Sequence, residues 1–456
     1  MNKTWAMALP SILVLLLAVP TIEAKVSPER AAKLGKELTP LGAIRAGNAE
    51  GTIPSWEGGI TQPPPGLGYE QGKHHPDPFA DDQPLSPITP ATVDQYRENL
   101  SPGQTAMFKR YPKTWRMAVY PTRRTAAFPQ HVYDRAIANA TTAELTAEGN
   151  GVVQAGGGVP FPIPNNGIEA IWNVIVHYRG ETIDQITGQV APTAGGAYTF
   201  VRIEQKLLFL YHRPGATTDS IGNRLFYFLF SVIAPARLAG QSILIHETIN
   251  QVKEPRKAWT YNPGQRRVRR APNVAYDNPG TASDGQRTSD QNDMYNGSPD
   301  RYDWTLVGRQ EMYVPYNSYK LHSGDLSYDD IIRPGHINPD LLRYELHRVW
   351  VVDAKLKEGT SHIYARRTFY IDEDSWQILA MDQYDNRGEI WRVSEAHVIN
   401  YYQVPLLWQT LEVHYDLQNG RYLAIGLNNQ ERPEMFNIEM DKRDFTPNAL
   451  RRKGRR

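Results

Sequence analysis

Residues 411–427 read Leu-Glu-Val-His-Tyr-Asp-Leu-Gln-Asn-Gly-Arg-Tyr-Leu-Ala-Ile-Gly-Leu, and this pattern decides the fold class. Leu411–Leu417 and Arg421–Leu427 are strand-like runs. Gln418-Asn-Gly420 between them is turn chemistry, because Asn-Gly supplies the positive φ angles of a tight hairpin. Upstream the pattern recurs. His362–Ile371 alternates, with Ile363, Ala365, Arg367, Phe369 and Ile371 on one face and Tyr364, Arg366, Thr368 and Tyr370 on the other. Asp372–Ser375 reads as a turn, Trp376–Tyr384 as the return strand, Asp385–Gly388 as another turn and Glu389–Val393 as a third strand. Ala197–Tyr211 and Phe226–Ile233 are also strand-like, while Ile168–Tyr178 carries helical spacing. Meandering strands with few long helices predict a mainly β (α+β) fold. The expected form is a curved antiparallel sheet or open half-barrel, with helices across its concave side.

The N-terminal part differs in composition. Prolines recur at 28, 40, 54, 63, 64, 65, 76 and 78, punctuation that argues against long regular elements. Residues 25–160 are therefore expected to be a loop-rich wrap on the sheet, and residues 161–456 the half-barrel domain. Short helices are predicted at Pro28–Glu37 and at Pro90–Leu100, the latter capped by Thr89. Before this wrap, Lys3, the apolar stretch Ala6–Val19 and the small residue Ala24 predict a secretory signal cut after Ala24, hence a periplasmic protein. That apolar core is shorter than the roughly 20 residues of a membrane span.

The absence of Cys excludes disulfides, thiolate metal sites and a cysteine nucleophile. With 50 Lys+Arg against 49 Asp+Glu, no general attraction to nucleic acid exists. Catalytic motifs fail one by one. Gly240-Gln-Ser242 is half of a nucleophile elbow, and His246-Glu247 lacks a second histidine at Asn250. His74, His75 and Asp77 offer metal-ligating groups, with exposed loop positions as the simpler reading. Asp372, Glu373, Asp374, Asp382 and Asp385 supply carboxylates that a glycosidase pair would need, but turn chemistry explains the first three. No catalytic residue, metal site or cofactor is expected.

Two features point toward binding. Leu225–Ile233 (Leu-Phe-Tyr-Phe-Leu-Phe-Ser-Val-Ile) is apolar on both strand faces. Either both faces are core, or one lines an apolar cavity. Phe226, Phe228 and Phe230, with Trp259 and Tyr261, are the candidate ligand-binding residues. The second feature is Arg266-Arg-Val-Arg-Arg270. Arg266, Arg267, Arg269 and Arg270 form either an ion-pair cluster, with Asp300, Asp303 and Glu311 as partners, or a recognition patch for a phosphate or an acidic protein.

Leu38-Thr-Pro-Leu-Gly42, Gly51-Thr-Ile-Pro54, Trp56-Glu-Gly-Gly59, Pro160-Phe-Pro-Ile-Pro164, Asp300-Arg-Tyr-Asp-Trp304 and Tyr370-Ile-Asp-Glu-Asp-Ser-Trp376 carry a resemblance. The chain resembles a family of Gram-negative exported proteins, domain of unknown function 1329, itself similar to outer-membrane lipoprotein-sorting carriers. The resemblance implies an open half-barrel that holds acyl chains. It also implies association with a resistance-nodulation-division export pump and an outer-membrane protein. The expectation is a periplasmic carrier or adaptor for a lipid or acyl-type ligand. A non-catalytic structural partner of an envelope complex is the alternative, and a hydrolase comes third.

Overall fold

The computed structural model describes residues 25–271 and 274–453. The predicted signal, residues 1–24, lies outside the described residues. Among those described, no helix is long and apolar enough to cross a membrane.

Thirteen strands form one antiparallel path. They are β1 (Thr182–Val190), β2 (Val201–Phe209), β3 (Arg224–Ala234), β4 (Ser242–Thr248), β5 (Lys257–Asn262), β6 (Arg267–Arg270), β7 (Tyr302–Pro315), β8 (Tyr344–Leu356), β9 (Arg366–Asp372), β10 (Ile378–Tyr384), β11 (Ile390–Asn400), β12 (Leu407–Asp416) and β13 (Arg421–Leu427). The order across the sheet is β6-β5-β4-β3-β2-β1-β13-β12-β11-β10-β9-β8-β7, and a short strand, β14 (Met435–Phe436), pairs with β1. Two meanders thus meet where β1 pairs with β13, and the end strands β6 and β7 stay unpaired to each other. The sheet is curved and open, as the alternation predicted. In the decisive hairpin Asp416 pairs with Arg421, so the turn spans four residues and of Asn419-Gly420 only Gly420 takes a positive φ, 71°.

The two sides of the sheet are covered differently. Cross-strand register puts Phe226, Phe228, Phe230, Ile243, Ile245, Glu412 and Ile425 on one side. Helix α3 (Gly167–Val176) and residues 274–298 cover that side. Nine of the ten α3 residues are buried, and Asn166 caps it by accepting from the Glu169 N–H at 2.9 Å. Gly167 has no room for a Cβ, because the Trp304–Thr305 backbone would lie within 2.7–2.9 Å of it. The opposite side carries Asp382, Val393, Glu395, Val413 and Tyr415. There α1 (Pro102–Arg110) seats its N-terminus on Asp382, which accepts from Ser101 Oγ and from the Gly103 N–H, both at 3.0 Å.

The N-terminal expectations need correction. The helix expected over Pro28–Glu37 is one turn, Pro28–Ala31, and that expected over Pro90–Leu100 is a 3₁₀ segment, Val93–Asn99. Two longer helices stand where loops were expected, α1 and α2 (Gln130–Thr142). The capping box that starts α1, Ser101 with Gln104, is a local signal that proline counting overrode. The carboxylates at 372–374 are not solvated turn residues either. Asp372, Glu373 and Asp374 are 0%, 2% and 6% exposed. Arg124 binds Asp374 with a two-pronged contact at 2.7 and 2.9 Å, and the Ile44 N–H donates to Glu373 at 3.2 Å. A long N-terminal segment lies over this turn, and the turn's acids hold it.

Candidate functional site

On the side covered by α3 lies a cavity at the β1–β4 end of the sheet. Its apolar wall comes from Leu207 and Phe209 of β2, Phe226, Phe228 and Phe230 of β3, and Ile243 and Ile245 of β4. Side chains two apart on a strand share a face, so the alternate apolar positions converge on one wall. The space is about 1200 Å³, its open side included, and the centre of a water-sized sphere reaches about 110 Å³ of it. One water needs roughly 10–15 Å³ by that measure, so this space exceeds a single water several-fold.

The rest of the lining is largely polar: Arg179, Glu247, Arg256, Arg287, Asp293, Asn296, Gln409, Glu412 and Glu434 contribute to it, with Trp408 among them. Most charges there are matched. Arg179 binds Asp293, Arg256 Nε donates to Glu247 at 2.7 Å, and His414 bonds Glu412 at 2.5 Å. Burial raises the Glu434 carboxyl to about 7 and holds the Arg287 guanidinium below its ordinary basicity. Several polar atoms of this lining are buried without a hydrogen-bond partner: Arg179 Nε, Thr187 Oγ1, Arg287 Nε, Asn296 Oδ1, Gln409 Oε1 and Glu434 Oε2. Buried polar groups are ordinarily paired, so these atoms keep hydrogen-bonding capacity that no protein group uses.

The five candidate ligand-binding residues separate. Phe226, Phe228 and Phe230 line the cavity. Trp259 pairs with Leu244 and Arg270, and Tyr261 with Ser242 and Val268, which puts both on the opposite side of the sheet. A single-residue step along a strand reverses the face, and sequence spacing between separate strands does not fix it. Trp259 contacts the His246 ring at 4.7 Å and lines a shallow groove with Arg266, Arg267, Arg270 and Arg451.

Arg266, Arg267, Arg269 and Arg270 are exposed, and among the described residues none of them forms an ion pair. The expected partners are engaged elsewhere: Asp300 accepts from the Tyr276 hydroxyl at 3.0 Å, and Glu311 accepts from Asn48 at 3.0 Å. The ion-pair expectation fails because the helix packed beside β6, Pro447–Lys453, brings Arg451, Arg452 and Lys453 rather than carboxylates, and β6 itself is the sheet edge. Its arginines can stay in water.

Other polar clusters are internal. His75, read as an exposed loop residue, is 3% exposed and lies 3.3 Å from His322 through their ring nitrogens, with Gln403 at 2.6 Å. His347, Asp372 and Asp374 bring ligand atoms within 4.8 Å of one another. Both Asp374 oxygens are already held by Arg124, while Asp372 accepts from the Tyr316 and Ser375 hydroxyls.

Residues 87–451 match the family described as "Protein of unknown function (DUF1329)", and the chain belongs to that family. An uncharacterized protein of Pseudomonas aeruginosa is 50% identical over 456 residues, 100% of both chains. Among solved structures the chain is similar to a putative outer membrane lipoprotein-sorting protein domain from Vibrio parahaemolyticus, with 13% identity and TM-score 0.43 over 62% of this chain and 98% of that one. It is also similar to a DUF1329 family protein from Desulfovibrio piger, with 13% identity and TM-score 0.42 over 60% of this chain and 92% of that one.

Proposed function

We propose that this protein is a non-catalytic periplasmic carrier or adaptor that holds a lipid or other acyl-type ligand against the β2–β4 wall of its half-barrel. The observation that carries the reading is the pairing of an aromatic wall, Phe226, Phe228 and Phe230, with unfilled space in front of it. Each methylene moved from water onto such a wall contributes about 0.8 kcal/mol, so ten offset much of the cost of association. The N-terminal segment, residues 25–160, acts as a fixed wrap on both sides of this half-barrel, with α1 on the back and Gly149 beside α3. The arginines of β6 are the recognition surface for an acidic partner, an envelope pump component or an outer-membrane protein. They adjoin the cavity: Arg269 pairs with Thr260, which pairs with Ile243 of the wall, two strand spacings of about 4.8 Å each.

Titration with the uncharged dye Nile red tests the cavity. Wild-type protein binds it with low micromolar affinity or better, and Phe228→Asp abolishes binding while the protein still unfolds cooperatively. Unchanged binding in Phe228→Asp refutes the placement of the ligand.

A further inference from the structure

One arginine of the cavity lining is bound by no carboxylate among the described residues, and the inference drawn from it rests on the carrier reading. Three arginines belong to that lining. Arg179 and Arg256 are each bound to a carboxylate. Arg287 forms no ion pair and no side-chain hydrogen bond among the described residues, and its Nε is buried without a partner. The two carboxylates that act on it electrostatically are Glu412 and Asp290. Glu412 is taken by His414 at 2.5 Å and by Gln409 at 2.9 Å, and Asp290 by Arg367 at 3.0 Å and His362 at 3.2 Å.

The local backbone fixes this arginine in place. Residues 279 and 288 pair as an antiparallel bridge, and the Gly280 N–H donates to the Arg287 carbonyl at 3.0 Å. Gly280 leaves space for the side chain beside it. A Cβ there would lie 3.0 Å from Arg287 Cγ and 3.2 Å from Cζ. Arg287 is part-buried, and where its guanidinium borders the cavity a bound anion would complete its charge-assisted hydrogen bonding. Its planar fork matches carboxylate and phosphate oxygens.

We propose that Arg287 binds the acid head group of an anionic amphiphile, a carboxylate or a phosphate monoester, whose tail lies against Phe226, Phe228 and Phe230. The ligand is therefore an acid-headed lipid rather than a neutral one. The phenylalanines of β3 and the Arg287 guanidinium, lining one cavity, match the two ends of such a molecule.

Fluorescence titration with cis-parinaric acid and with its methyl ester tests this. Wild type binds the acid at least tenfold more tightly than the ester. Arg287→Gln weakens the acid by roughly 10- to 100-fold, the usual worth of a hydrogen bond to a charged group, and leaves the ester unchanged. Gly280→Ala, which crowds the guanidinium without removing it, selectively weakens the acid as well. Displacement by palmitate against hexadecyl phosphate tells which acid is preferred. Equal binding of acid and ester by wild type overturns the head-group assignment while leaving the carrier reading intact. So does an equal loss of both probes in Arg287→Gln. Failure of wild type to bind either probe, or Nile red, overturns both.

Discussion

Glu395 ties stability to pH in a way that one substitution isolates. Its carboxyl lies on β11, 2% exposed, accepting from the Tyr344 hydroxyl at 2.8 Å and from the Gln104 side chain at 3.4 Å, with no guanidinium at hand. Burial raises it from 4.5 to about 7. Well below pH 4.5 the group is protonated in the folded and the unfolded chain alike, and contributes no pH dependence. As pH rises the unfolded chain ionises first, so stability falls until pH passes about 7. With these two values the loss between pH 5 and pH 8 is on the order of 2–3 kcal/mol. Glu395→Gln keeps the shape, cannot ionise and removes that part of the decline. The assay is urea unfolding of wild type and variant at pH 5, 6, 7 and 8, with the slope against pH compared rather than the absolute values. Parallel slopes, differing by less than about 0.5 kcal/mol over that range, would show that Glu395 is ionised in the folded protein and refute the reasoning.

Three further outcomes follow from other parts of the molecule. Arg124→Ala strips the partner from the 3% exposed Asp374 carboxylate and breaks bonds to Ile44, Arg45 and Pro54 carbonyls, costing about 3–5 kcal/mol and opening residues 41–60 to limited proteolysis. Trp376→Ala removes a fully buried indole that stacks on Trp350 at 5.9 Å and donates to the Leu41 carbonyl, a loss of about 3–5 kcal/mol read by the unfolding midpoint. Arg267→Ala with Arg269→Ala on the exposed edge strand costs under about 0.5 kcal/mol, and a loss above about 2 kcal/mol would restore the ion-pair reading.

Local patterns made the sheet legible and left its two sides unassigned. The Asn-Gly hairpin and the alternation near 366–384 fixed strands, because turn chemistry and period are properties of short stretches. The strand β7 was missed, since the alternation that opens it at 302–306 is broken by Val307-Gly308 and the polar run Arg309-Gln-Glu311. The apolar run of β3 left a cavity and a filled core equally open, and Trp259 could not be assigned to a face until the register with Leu244 was known. Arg287 carried no signal at all. It stands in a stretch of Gly, Asp, Ser and Thr that reads as loop, and only the fold brings it to the cavity that β3 lines. The acids at 372–374 misled for the converse reason. Their turn is real, but Arg124 and Ile44, some 250 to 330 residues away in sequence, bury it.

The most direct test of the central claim is native mass spectrometry of the protein purified from periplasm, without detergent. The account predicts a population heavier than the polypeptide by the mass of an acyl-chain ligand, released on collisional activation and missing from Phe228→Asp. A wild-type spectrum holding only the bare polypeptide, matching that of Phe228→Asp, would contradict it.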